Sequence, residues 1–273
     1  MLTPADFFTL DHGDPLADLF AGKAYVWEAL GGIKPYLAER LEPNVGPVRT
    51  AFGDFVPRTV VLHQGRLITD GFTLQPGDPA KKRFGVFLDG RKLDGAVVIY
   101  GGASLASEAI QLAPGAVVEP GAMIKGPTYI GADSEVRQGA YLRGDCLVGA
   151  ACVVGHVTEV KHAVFLSGAK AGHFAYVGDS ILGRGVNLGA GTKLANLKII
   201  EGEVTLSVDH QAYATGLRKL GAIIGDGCEL GCNTVTNPGV LLGPRSLVTP
   251  NATVPAGYYK PRSLIRTPKS TVR

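Results

Sequence analysis

The sequence predicts a mainly β chain wound as a parallel β-helix, joined to a small α+β N-terminal region. Three observations predict it. Aliphatic residues stand at Leu112, Val118, Ile124, Ile130, Val136, Leu142, Val148, Val154, Val160 and Leu166, always six apart. Four positions after most of them comes a small or β-branched residue: Ala116, Ala122, Thr128, Ser134, Ala140, Cys146, Cys152 and Thr158. The composition agrees, with 38 glycines and 7% aromatic residues, which suits tight turns and small packed positions.

A six-residue period gives one short strand and one turn per unit, and three units make a triangular coil. Coils then stack at about 4.8 Å, the ordinary inter-strand spacing. The aliphatic residue points inward, the small one packs near the corner, and backbone groups pair with the coils above and below. Roughly seven coils are expected from the repeat. A second clean run is Ile224, Leu230, Thr236, Leu242, Val248 and Val254. Amphipathic helices would show a period of about 3.6 instead, and none fits.

The N-terminal region, 1–105, is read element by element. Asp14-Pro15 is an N-cap and first-turn pair. Val26, Leu30, Ile33 and Leu37 recur at helical spacing, and Gly31-Gly32 with Pro35 divide that stretch into two short helices. Trp27, the single tryptophan, reads as packing. Thr59–Leu62 and Arg66–Thr69 flank His63-Gln64-Gly65 as a hairpin, with further strands at Phe84–Leu88 and Ala96–Tyr100. Asp70-Gly71, Asp89-Gly90 and Asp94-Gly95 mark turns. No phosphate-binding loop or dinucleotide fingerprint occurs here. His12 and His63 have no sequence partners and read as structural.

The β-helix is expected over 106–260, with an excursion at about 198–221, and a basic tail over 261–273. In the excursion Val204, Leu206 and Val208 alternate as a strand does, and Leu217-Arg218-Lys219-Leu220 returns the chain. The rhythm slips around Lys170-Ala171-Gly172-His173-Phe174-Ala175-Tyr176-Val177-Gly178-Asp179, because Val177 to Leu182 is five residues. A break in a strict repeat marks a place where local rules yield to another requirement.

Bulk properties exclude several classes. The net charge of +3 is too small for a nucleic-acid partner. No run of about 18 apolar residues predicts a membrane span, and the N-terminus has no secretion signal, so a cytoplasmic location is expected. Cys146, Cys152 and Cys228 fall in the small-residue column and read as core packing. Cys228-x3-Cys232 lacks a second pair or suitably spaced histidine, so no metal is expected. Arg143 and Lys161 are 18 residues apart, one full coil, and each follows an inward aliphatic residue. They therefore stand one above the other, and two such cations repel unless an anion sits between them.

Residues 142–196 also carry Tyr141-Leu142-Arg143, Glu159-Val160-Lys161, Lys170-Ala171-Gly172-His173, Tyr176-Val177-Gly178-Asp179, Val186–Thr192 and Ala195-Asn196. These motifs and their intervals resemble the hexapeptide-repeat acyltransferases with a left-handed β-helix. Within them the resemblance is to the acetyltransferase domain of the bifunctional enzymes that make UDP-N-acetylglucosamine. The excursion is most similar to that of the archaeal-type sugar-phosphate members.

The resemblance implies an acetyl-CoA-dependent N-acetyltransferase acting on an amino-sugar phosphate such as glucosamine-1-phosphate, working as a homotrimer with sites between neighbouring subunits. It implies His173 as general base and the backbone N–H of Ala190 facing the oxyanion. Arg143, Lys161 and Lys219 would bind the phosphate, Tyr176 and Asn187 the amino sugar, and Asn196 and Cys232 the acyl donor. Leu197 stands where bacterial members carry tyrosine, and Cys232 where they carry serine. Residues 1–110 lack the nucleotidyltransferase motif, so uridylyl transfer is not expected. Two other readings compete. One is a non-catalytic sugar-phosphate-binding or assembly subunit. The other is a γ-type carbonic anhydrase, for which His156, His162 and His173 have the wrong spacing.

Overall fold

The computed structural model describes residues 2–10, 15–208 and 211–267. Asp14 as a helix cap, His12 and the end of the basic tail lie outside them. The chain forms a parallel β-helix of three sheets, with eleven, eight and eight strands. In the first sheet, two strands are the antiparallel hairpin Val60–His63 and Arg66–Ile68; the other nine run parallel and mark nine turns of the solenoid. That exceeds the expected seven. Parallel pairing starts at Val97–Ile99 and ends at Leu264–Ile265. The outer turns escape the six-residue rule because Leu105 to Leu112 is seven residues and Val254 to Tyr259 is five.

Two middle turns are short as well. Leu142 pairs with Val160, 18 residues on, but Val160 pairs with Val177 and Val148 with Phe165, each 17 on. The inward residue after Val160 is therefore Phe165, not Leu166. Phe165 lies in the solenoid core, whereas Leu166 packs outside it. The missing residues come out of the corners at His162 and Asp179. Each turns on one non-glycine residue with positive φ, 48° and 46°.

The third sheet is apolar on both sides over its middle strands. In Ala163–Phe165, Ala222–Ile224 and Val240–Leu242 every residue is buried. The outward residues Leu147, Val164, Ile181, Ile223 and Leu241 pack under Phe7, Phe20, Trp27, Leu30 and Ile33. Five such side chains, at about 1.5–3 kcal/mol each, amount to a typical domain's whole net stability. The N-terminal segment is thus part of the same folding unit as the solenoid.

Leu30 and Ile33 of this covering layer come from one helix, Glu28–Arg40. Gly31, Gly32 and Pro35 do not divide it. Pro35 forfeits one hydrogen bond to Gly31, and the buried Leu30, Ile33 and Leu37 offset that loss by packing. Trp27 is buried, stacked on Tyr25 at 4.6 Å and edge-on to Tyr213 of the excursion. The excursion is a hairpin, Thr205–Val208 with Gln211–Ala214. Its Val204 and Leu206 fill the space where Gly239 has no Cβ. Helix Gly46–Phe52 places Val45 and Val48 over the first coil and closes its apolar end, as solenoids require.

The hairpin predicted around Gln64-Gly65 is present, with both turn residues at positive φ. A second small sheet joins Phe72–Gln75, Gly85–Leu88 and Arg91–Lys92, with the 3-10 turn Pro79–Lys81 between its first two strands. Among the described residues no helix is long and apolar enough to cross a membrane.

Close stacking makes a sharp prediction at two glycines. A Cβ on Gly155 would collide with the Gly172 carbonyl of the next coil, whereas a Cβ on Gly172 meets open space. Gly155→Ala should cost about 1–3 kcal/mol and lower the melting temperature, while Gly172→Ala should stay within about 0.5 kcal/mol of the parent. Thermal and urea unfolding of the two variants checks this.

Candidate functional site

The strands Val153–His156 and Lys170–His173 stack in register, with His156 opposite His173. Their imidazoles lie 5.5 Å apart at 21°. Gly155, which precedes His156, lets the two coils approach closely here, since a Cβ on it would strike the Gly172 carbonyl. The corner that follows is made by Val157 and Phe174, at φ of 51° and 48°. Neighbouring coils use Gly139, Gly191, Asn233 or Asn251 at this corner. A β-branched valine at positive φ is a strained choice. Val157 and Phe174 are also 57% and 58% exposed, so no burial within the chain repays that strain.

His173 borders a concavity of about 250 Å³ that also takes in Lys170, Asn187, Gly189 and Ala190 of the first sheet's outer side. The Gly191 N–H donates to the His173 carbonyl at 2.9 Å, which ties the two adjacent coils together. Among the described residues the Ala190 N–H meets no backbone acceptor. The same holds for Ala132 and Ala150 at equivalent turns, so only its position beside His173 sets Ala190 apart. The Asn187 amide donates to Glu229 at 2.9 Å. Cys232 is exposed one coil beyond, where the Asn233 N–H donates to the Ala190 carbonyl. The buried thiols differ from it: burial pushes Cys146 up to about 12 and Cys228 up to about 11.

The remaining predicted residues gather at the opposite edge of the second sheet. Arg143 and Lys161 follow Leu142 and Val160, which pair in register, so the expected stacking is present. Each cation also has a carboxylate partner within the chain. Arg143 pairs with Glu159 at 2.7 Å and Lys161 with Asp179 at 3.3 Å. The short corners cause the second pairing by bringing the Asp179 N–H within 3.0 Å of the Lys161 carbonyl. Asp179 is buried and also accepts from the Asn196 amide. The Tyr176 hydroxyl bends over Gly178, where a Cβ would stand 2.6 Å from it, and meets Asn196. Burial first, then the Asp179 and Glu159 carboxylates, push this phenol above its ordinary value. Hydrogen bonding to Glu159 likewise holds Arg143 above the usual guanidinium value. Lys219 is exposed beside this group, bridged through its backbone to Leu197.

The predicted residues thus form two groups. His173, Asn187, Ala190 and Cys232 belong to the edge between the first and second sheets. Arg143, Lys161, Asn196 and Lys219 belong to the edge between the second and third, with Tyr176 on the strand that joins the two edges. Sequence reading assigned no role to Asp179 or Glu159. Asp179 lies 18 residues beyond Lys161, as Lys161 does beyond Arg143, but the shortened corner sets Gly178 opposite Lys161, so counting alone does not place Asp179. His162 is turned to the next corner, 3.7 Å from Asp145, away from the His156–His173 stack. Among the described residues no three His, Cys, Asp or Glu side chains gather as a metal site.

The family model of the GMPPB C-terminal domain matches residues 124–215, within the solenoid and its excursion. A bifunctional sugar-1-phosphate nucleotidylyltransferase/acetyltransferase of Sulfurisphaera tokodaii is 43% identical over 101 residues, 37% of this chain and 25% of that protein. A bifunctional protein GlmU of Methanococcus vannielii is 37% identical over 101 residues, 37% of this chain and 24% of that protein. One of Methanocaldococcus jannaschii is 37% identical over 90 residues, 33% and 22%. The matched part of the chain thus spans about a quarter of the length of these curated relatives. The resemblance to sugar-1-phosphate nucleotidylyltransferase/acetyltransferases holds over that stretch.

Asp179 joins Lys161, Asn196 and Tyr176, so its charge can be tested alone. Asp179→Asn keeps a side chain that tolerates positive φ but strips Lys161 of its carboxylate, at a cost of about 1–3 kcal/mol. The Tyr176 titration should move down towards the ordinary value of about 10, read by alkaline absorbance against Tyr176→Phe. A phenol raised in the folded state contributes stability below about pH 10 that is lost as pH climbs through the folded value. The parent should therefore lose more stability above that pH than Tyr176→Phe does.

Proposed function

We propose that this chain is an acetyl-CoA-dependent N-acetyltransferase acting on an amino-sugar phosphate such as glucosamine-1-phosphate, with His173 as general base. The observation that carries the proposal is His173 sharing one concavity with the unengaged Ala190 N–H. The names of the relatives support the substrate class.

Histidine's ordinary pKa, about 6.5, suits base chemistry near neutrality. The base takes a proton from the sugar's amine as its nitrogen attacks the thioester carbonyl. The C–N bond forms, the oxyanion accepts a hydrogen bond from Ala190, and the C–S bond breaks as the thiolate leaves. A phosphate held at a distance orients the amine.

Magnitudes separate the two cations. The Arg143–Glu159 pair is well exposed, 42% and 38%, and such pairs are worth at most about 1 kcal/mol. Arg143 can therefore leave Glu159 for a phosphate at little cost. Lys161 is held by the buried Asp179 and serves better as a fixed positive charge at the base of the site. In this reading Lys219 reaches the same phosphate, Tyr176 and Asn187 contact the sugar, and Asn196 and Cys232 flank the donor. We also propose a homotrimer, in which a second copy covers the strained, exposed Val157 and Phe174 beside His173 and contributes its opposite edge to the site.

Acetyl-CoA turnover against a panel of amino-sugar phosphates tests the activity. His173→Ala should lower turnover by roughly 10²–10⁴-fold and abolish the acidic limb of the pH–rate profile, with melting temperature unchanged. Near-parental turnover in that variant would reject the base role. Arg143→Ala should raise KM for the sugar phosphate more than for the unphosphorylated amino sugar, and an equal effect on both removes its phosphate role. Sedimentation should give three times the monomer mass at micromolar protein; monomer alone would reject the assembly.

A further inference from the structure

The concavity beside His173 has a second wall, which comes from the N-terminal region. Asp78 and Ala80, at the 3-10 turn Pro79–Lys81 of the small sheet, face Lys170, Arg137 and His173 across it. Its charges do not balance. Arg137 is held by Glu135 at 2.6 Å, and Asp78 by Lys81 at 3.2 Å. Lys170 stands on the outer side of the first sheet, between Val153 and Asn187 in register. It is exposed, and among the described residues no carboxylate pairs with it. The uncompensated charge of the concavity is therefore the Lys170 ammonium, in a recess narrowed on the far side by Ala80. A cation inside a walled recess attracts an anion more strongly than one on an open surface, because low-dielectric walls focus its field.

We propose that this recess is a phosphate-binding subsite, with Lys170 as its ligand and the Pro79–Lys81 turn as its wall. The inference deepens the acyltransferase reading and rests on it for the identity of the ligand. His173 and Ala190 border the same recess, so a phosphate bound there belongs to a molecule that also reaches the point of transfer. Acyl donor and sugar phosphate both carry that chemistry, though a sugar phosphate seated here would take its one phosphate away from Arg143, Lys161 and Lys219. The small sheet then acts as a part of the substrate site.

Calorimetric titration with CoA, glucosamine-1-phosphate and inorganic phosphate tests this on the parent, Lys170→Ala, Lys170→Arg and Ala80→Trp. Lys170→Ala should weaken CoA or glucosamine-1-phosphate roughly tenfold or more, the usual loss for a charge-assisted contact. Whichever ligand weakens is the source of the phosphate. Inorganic phosphate should compete with that ligand in the parent, and Lys170→Arg should retain most of the affinity. Ala80→Trp, which fills the recess from its far wall, should weaken the same ligand without lowering the melting temperature. Unchanged binding of both organic ligands by Lys170→Ala, or no binding of either by the parent, overturns the subsite. Parental affinity in Ala80→Trp removes the wall. Turnover is scored separately: Lys170-dependent binding without turnover keeps the subsite and rejects the acyltransferase reading, and turnover with Lys170-independent binding does the reverse.

Discussion

Backbone pairing between successive coils is the constraint on which this structure depends. Each short strand is too small to hold itself and takes its hydrogen bonds from strands one turn before and one turn after. Register between coils is therefore inherited along the whole solenoid. Leu142 fixes Val160, and Val160 fixes Val177. Any residue gained or lost must be absorbed at a corner, since a strand that slipped by one would turn its core side chains outward.

The chemistry sits where corners absorb such losses. Dropping one residue at His162 and another at Asp179 draws Lys161, Asp179 and Asn196 into one hydrogen-bonded group. On the other edge the corner keeps its length but gives up glycine for Val157 and Phe174. The strain of those backbones stands next to the stacked His156 and His173. In both places a departure from the repeat coincides with polar side chains held in one geometry by two coils.

Coverage decides which faces remain open. Over its middle strands the outer side of the third sheet is aliphatic and lies beneath the N-terminal segment and the excursion hairpin. The outer side of the first sheet carries Glu135, Lys170, Asn187 and Glu229, and there the small sheet leans over without sealing it. Among the described residues no such layer covers the second sheet, with Tyr141, Glu159, Tyr176 and Lys193 outward. One N-terminal region thus seals one side of the prism and walls a recess on another.

The six-residue period by itself determined the solenoid, the inward column from Leu112 to Val160, and the stacking of Arg143 over Lys161. These follow from local spacing, because a coil's inward positions are set by counting along the chain. Counting fails where a corner changes length. Phe165 and Leu166 are both apolar, and only the pairing of Val148 with Phe165 shows which one enters the core. Helix Glu28–Arg40 stays whole against its own Gly31, Gly32 and Pro35 because its buried face outweighs local propensity, a balance that appears only in tertiary contact. The partners of the site residues were likewise decided in three dimensions. Glu159 neutralises Arg143 across a coil, Asp179 reaches Lys161 through a shortened corner, and Asp78 faces His173 from a separate sheet. No spacing rule links Asp78 to His173, since their meeting depends on how a non-repeating segment packs against a repeating one.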